Sequence, residues 1–95
     1  MKFYSLPYFP YKSDKPNKKF FIITKTGKRV YFGDSHYEDF TQHRSIRRKM
    51  LYIQRHRKNE DWTNPDTPSY WSRWLLWEKP TLEEAYLNIL KHNTF

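Results

Sequence analysis

Seven cationic side chains, Arg44, Arg47, Arg48, Lys49, Arg55, Arg57 and Lys58, fall within fifteen positions of this chain. Guanidinium and ammonium groups at that density neutralise phosphates or carboxylates. Each neutralised phosphate releases condensed counterions, so such binding weakens steeply with salt. Arginine also grips a carboxylate through two parallel hydrogen bonds, which makes an acidic protein surface a second natural partner. Arg44, Arg47, Arg48, Arg55 and Lys58 form the candidate polyanion-binding set, joined by Lys28 and Arg29 from an upstream turn. The plainer reading is a solvated face that keeps a small protein soluble.

Histidine and carboxylate groups at His36, His43, Asp34 and Asp39 offer ligand-like chemistry. A hairpin followed by a helix bearing His43 and His56 invites comparison with the ββα-metal nuclease finger. That motif wants a histidine near the first strand and a defined metal ligand on the helix. No general base or ligand set falls into place here. The plainer reading has these histidines bonded to the loop or to carboxylates such as Glu38 and Glu60. The chain has no cysteine, which excludes disulfides, zinc ribbons and thiol catalysis. No catalytic residue, metal or cofactor is therefore expected, and a metal-dependent nuclease is kept only as a remote alternative.

A third group is aromatic. Tyr4, Tyr8, Phe9 and Tyr11 lie in a stretch punctuated by Pro7, Pro10 and Pro16. Proline this dense prevents a helix and disfavours a central strand. Residues 1–19 are expected to form an extended arm that docks on its own domain or on a neighbour. Aromatic and arginine residues dominate interface hot spots, so these four are candidate anchors for a partner surface.

These groups need elements to hold them. Phe20–Thr24 and Arg29–Gly33 are β-rich runs around a loop containing Gly27, which predicts a hairpin. Thr41 or Ser45 is a possible cap for a helix running to about Arg57. Ile46, Met50 and Ile53 share one face of that helix, and Arg44, Arg48 and Arg55 project from the opposite one. Thr67-Pro68 supplies an N-cap and a first-turn proline for a second helix that ends before Pro80. Thr81-Leu82-Glu83-Glu84 is a capping-box pattern, and apolar residues then repeat at helical spacing to about His92.

Three of the four tryptophans, Trp71, Trp74 and Trp77, lie on the second of these helices, in a chain whose mean hydropathy is -1.08. Base stacking is one use for such rings. Helical spacing in so polar a chain favours a structural core. Arg73, between Trp71 and Trp74, is expected to pair with Glu60, Asp61 or Glu78, or to stack on an indole. The reading is an α+β fold of 95 residues: the arm over 1–19, then one domain over 20–95. That domain comprises one β-hairpin and three short helices around a tryptophan-rich core.

Several stretches resemble a known family. They are Val30-Tyr31-Phe32-Gly33, His36 to His43, Tyr52 to His56, Asn59-Glu60-Asp61-Trp62 and Trp71 to Thr81. Together they resemble a small uncharacterised protein family of large double-stranded DNA viruses of eukaryotes, over residues of about 28–81. The resemblance implies a viral origin and carries no established activity.

Charge is uneven along the chain. Residues 1–58 carry +11 and residues 59–95 carry -3. A small secreted domain usually carries disulfide staples, so an intracellular or particle-borne site is expected. No apolar run approaches a membrane span, and the N-terminus lacks a signal-peptide core. The functional expectation is a non-enzymatic basic viral accessory protein that binds DNA or RNA without sequence preference. The alternative is a structural virion component, a minor capsid or cement-like protein docking on acidic viral protein surfaces through its arm. The expected location is the virion or the infected cell's cytoplasm or nucleus, with no membrane partner.

Overall fold

A computed structural model describes residues 8–92 of the chain. It is an α+β fold in which a three-stranded antiparallel sheet packs on a layer of short helices. The strands are β1 (Tyr11–Lys12), β2 (Lys18–Ile23) and β3 (Arg29–Asp34), in the order β1-β2-β3. The helices are α1 (Phe40–His43), α2 (Ile46–His56), α3 (Pro68–Trp71) and α4 (Leu82–His92). A π-helical stretch, Ser72–Leu76, continues α3 without a break.

The hairpin forms as its composition dictates. Phe20 opposes Phe32 and Ile22 opposes Val30 across β2 and β3. Gly27 takes the turn at φ +87, a conformation that costs glycine little and other residues more. The third strand comes from the stretch expected to be an arm. Tyr11 pairs with Phe21 in register, and the Tyr8 N–H donates to the Ile23 carbonyl at 2.9 Å. The proline-rich sequence limits β1 to two residues at the sheet edge.

The core lies between the sheet and the helices. Ile22, Val30 and Phe32 from the sheet meet Tyr70, Trp71, Leu75 and Leu76 from α3 and its continuation, and Ala85, Tyr86 and Ile89 from α4. Trp71 is fully buried, and its ring lies 6.1 Å from Tyr8 and 6.2 Å from Phe32. Its indole N–H donates to the Pro65 carbonyl at 2.7 Å, so the ring is buried without stranding its polar atom. Gly33, at φ +80, lets β3 approach this layer. A Cβ there would come within 2.8 Å of Leu76 Cδ1.

The helix starts follow the expected caps. Thr67 Oγ1 accepts from the Tyr70 N–H with Pro68 in the first turn, and Thr81 Oγ1 accepts from the Glu84 N–H at 3.1 Å. Of the two expected caps, Ser45 starts the long helix, and a separate short helix, α1, precedes it. Asp39 caps α1 in a reciprocal box with Gln42, and Arg44 closes it in the left-handed region at φ 55. Ser45 then starts α2 by accepting from the Arg48 N–H. A side chain that satisfies orphan N–H groups at residue 39, followed by a second cap at 45, makes two short helices cheaper than one.

Candidate polyanion interface

The rotation of α2 about its axis decides which cations are available. Tyr52 faces inward and stacks on Trp77, with centroids 4.4 Å apart and planes within 5°. Lys49 also points inward and donates to the Glu78 carbonyl at 2.9 Å, with the Glu78 carboxylate 3.5 Å away. His56 pairs with Glu60, which also accepts from the Trp62 indole at 3.1 Å. Lys49, Tyr52 and His56 therefore define the buried side. Ile46 and Met50 point outward, 63% and 57% exposed. The apolar face read from sequence spacing is thus largely on the solvent side. An aromatic stack and a partly buried ion pair outweigh the burial of two aliphatic side chains in setting the rotation.

This orientation sorts the candidate cations. Arg44 donates through Nε to the Pro80 carbonyl at 3.1 Å, tying α1 to the start of α4. Arg48 stands 3.6 Å from the Glu38 carboxylate. Arg29 lies 3.7 Å from Asp14, donates to the Tyr31 hydroxyl and covers the Phe21 ring. Arg47, Arg55 and Lys58 are exposed and make no ion pair or side-chain hydrogen bond among the described residues. Lys28 is likewise exposed and unpaired, but it sits at the hairpin turn, on another element. Arg57, outside the candidate set, is the α2 C-cap and is equally exposed and unpaired. It lies about three turns beyond Ile46, so projection from the sequence assigns it to the apolar face. The same rotation that exposes Ile46 exposes Arg57.

A groove of about 800 Å³ runs between residues 34–39, α2 and the start of α3. Phe32, Tyr52, Leu76 and Trp77 form much of its floor, and Tyr37, Arg48, Leu51 and Arg55 stand along its walls. Asp39, itself buried, bonds Lys19 at 2.7 Å. The Asp34 carboxyl is held below its ordinary range by the backbone N–H and imidazole of His36.

The remaining candidates are distributed through the interior and the sheet edge. Tyr8 is buried against Trp71 and bonds Asp66, Phe9 packs edge-on to Tyr86, and Tyr11 stacks on Phe21. These three rings are in contact with the domain itself, and Tyr4 lies outside the described residues. Trp71 is in the core. Trp74 and Trp77 are half-buried beside it, with the Trp74 indole donating to the Trp62 carbonyl at 2.8 Å. Arg73 is 8% exposed, bonds Glu78 at 2.8 Å and lies 4.4 Å from the Trp74 ring centroid and 5.3 Å from that of Trp62. Ion pairing and stacking, posed as alternatives for this residue, occur together.

The histidines are dispersed. His36 bonds Asp34, His56 bonds Glu60, and His43 Nδ1 accepts from the Ser45 N–H at 2.9 Å. Among the described residues no three or more His, Cys, Asp or Glu side chains gather as metal ligands would.

Residues 11–56 match a family of unknown function, DUF5754. The match spans the sheet, α1 and α2, and stops short of the tryptophan segment. It overlaps the viral-family resemblance only in part, and it starts at Tyr11, before the stretch that carries that resemblance. No curated protein and no solved structure matches the chain. Among the described residues no helix is long and apolar enough to cross a membrane.

Proposed function

We propose that this is a small, basic, non-enzymatic viral accessory protein that binds the backbone of DNA or RNA without sequence preference. The observation that carries the reading is the set of unpaired cations at the solvent side of α2: Arg47, Arg55, Arg57 and Lys58. Other cations in the fold, Lys19, Arg29, Arg48, Lys49 and Arg73, are taken up by carboxylates of the chain itself. Arg47, Arg55, Arg57 and Lys58 have no carboxylate partner among the described residues, which is the arrangement a polyanion requires. The viral assignment rests on the sequence resemblance over residues 28–81.

The test is binding of a labelled DNA duplex by fluorescence anisotropy across a salt series. Four cations engaging phosphates give a log–log salt slope of roughly -3 to -4. Replacing Arg47, Arg55, Arg57 and Lys58 together by Ala is expected to flatten that slope and to weaken binding at least tenfold. Failure of the unaltered protein to bind DNA or RNA even at low salt sinks the reading.

A second reading, a structural virion component docking on an acidic protein surface, is favoured by one observation. Ile46, Met50 and Leu51 are exposed on the same helix as the free cations, a mixture suited to a protein interface. The protein's presence in the shell of purified particles, away from the genome, would decide for it.

A further inference from the structure

Tyr37 is the most exposed of the large hydrophobic side chains among the described residues, at 71%. It belongs to the turn after β3, where its N–H donates to the Asp34 carbonyl at 3.3 Å. Its ring packs on no other ring, and its hydroxyl makes no hydrogen bond among the described residues. In a chain where most aromatic rings are stacked, bonded or buried, this one lies at the groove largely exposed to solvent.

The ionic groups of the lining balance in number, with Lys18, Lys19, Arg48 and Arg55 against Asp34, Glu38, Asp39 and Glu60. Glu38 pairs with Arg48 and Asp39 with Lys19, while Glu60 and Asp34 bond the His56 and His36 imidazoles, which carry charge only when protonated. Two cations of the lining, Lys18 and Arg55, make no ion pair among the described residues. Lys18 faces Asp34 across the β2–β3 ladder, too far for an ion pair, though its charge helps hold that carboxyl below its ordinary range. Leu51, 42% exposed, adds an apolar wall on the α2 side.

Resting on the polyanion reading above, we propose that the preferred ligand is a single strand. The Tyr37 ring stacks on an unpaired base, while Arg55 and Lys18 contact the flanking phosphates. A duplex keeps its base faces closed, so it can use the cations of α2 but not an exposed ring beside an apolar wall. A single strand offers both, and stacking of this kind tolerates any base. The surface thus has two parts. The free cations on the outer side of α2 attract any polyanion, and the groove discriminates in favour of unpaired bases.

The experiment uses the full chain with two fluorescein-labelled probes, oligo(dT) of roughly 12 nucleotides and a duplex of the same length, at low salt. The unaltered protein is expected to bind the single strand at least tenfold more tightly than the duplex. Tyr37→Ala should lose about tenfold on the single strand and nothing on the duplex, while Tyr37→Phe keeps full affinity. Because Tyr37 is exposed, both variants should melt where the unaltered protein does. Equal affinity for the two probes, or a Tyr37→Ala change without effect on oligo(dT), overturns the single-strand inference and leaves the polyanion reading intact. Loss in Tyr37→Phe as well as in Tyr37→Ala overturns stacking in favour of a hydroxyl contact. If neither probe binds, both readings fall.

Discussion

The tryptophan segment and helix α2 are both crowded with large and charged side chains, yet they dispose of them in opposite ways. In the first, most polar groups are turned inward and matched, the buried Arg73 Nε being an exception. The Trp71 and Trp74 indoles donate to backbone carbonyls, and Arg73 is held by Glu78 between two rings. In the second, Lys49, Tyr52 and His56 serve the fold, and Arg48 pairs with Glu38. Ile46, Met50, Arg47, Arg55, Arg57 and Lys58 face water. Density of a residue type is thus a poor guide to role. What separates scaffold from surface is whether each group has a partner within the chain.

The contrast can be broken at four places. Trp71→Ala should have the largest effect, a loss of about 3–5 kcal/mol in chemical denaturation, since it empties the centre of the core. That is a large share of the stability of a domain this small. Arg73→Ala should cost about 3 kcal/mol by the same measurement, because it removes two stacking contacts and the nearer of the two cations at the Glu78 carboxylate. Lys49 remains near that carboxylate, which keeps the loss toward the lower end. A loss under about 0.5 kcal/mol would mean that the pair contributes nothing, and the contrast with α2 would dissolve.

Acid offers a third test, smaller and specific. Burial pushes the His43 imidazole below its ordinary value, and the Arg48 charge pushes the same way. The folded pKa lies below the unfolded one, so the unfolded chain takes up this proton first as pH falls. The stabilisation is fully present above about pH 6.5 and is lost as pH drops through the depressed folded value. A urea midpoint that falls between pH 7.5 and about 5, and falls less in His43→Gln, is the expected outcome. Glu78 acts lower on the scale. Burial raises its carboxyl, but the Arg73 hydrogen bond and the Arg73 and Lys49 charges outweigh that and hold it below its ordinary value. Its contribution is present above about pH 4.5 and fades as pH falls through the folded value.

The smallest effect is expected on α2 itself. The combined Arg47, Arg55, Arg57 and Lys58 change to Ala should move stability by no more than about 0.5 kcal/mol, in contrast to its effect on binding. A larger destabilisation would show that these cations serve the fold after all.

Local chemistry made much of this architecture legible in advance. The Gly27 turn between two β-rich runs, the Thr67-Pro68 start and the Thr81 cap each depend on residues within a few positions. What was illegible depends on distance along the chain. Tyr8 meets Trp71 across more than sixty positions, and no composition rule pairs them. The rotation of α2 is set by Trp77 and Glu78, more than twenty residues beyond its end, so its aliphatic spacing pointed the wrong way. The break at Arg44 had a local signal, Asp39 three places before Gln42, but the threonine at 41 and the serine at 45 competed for the same role. Nothing in the residues around Tyr37 marks it. Its interest comes from a ring and hydroxyl that find no ring or hydrogen-bond partner among the described residues, which only the folded chain reveals.

The π-helical stretch Ser72–Leu76 has one more consequence. An α-helix closes each hydrogen-bonded turn over four residues, whereas this one closes over five. The segment therefore holds one residue more than the space between Trp71 and Trp77 would need if it were wound in the ordinary way. That extra residue acts as a phase shifter, bringing Leu75 and Leu76 together onto the core while Trp77 remains free to meet Tyr52. Related chains that lack it should show a one-residue gap between positions 72 and 76. In such chains the partner of α2 would have to be a different side chain.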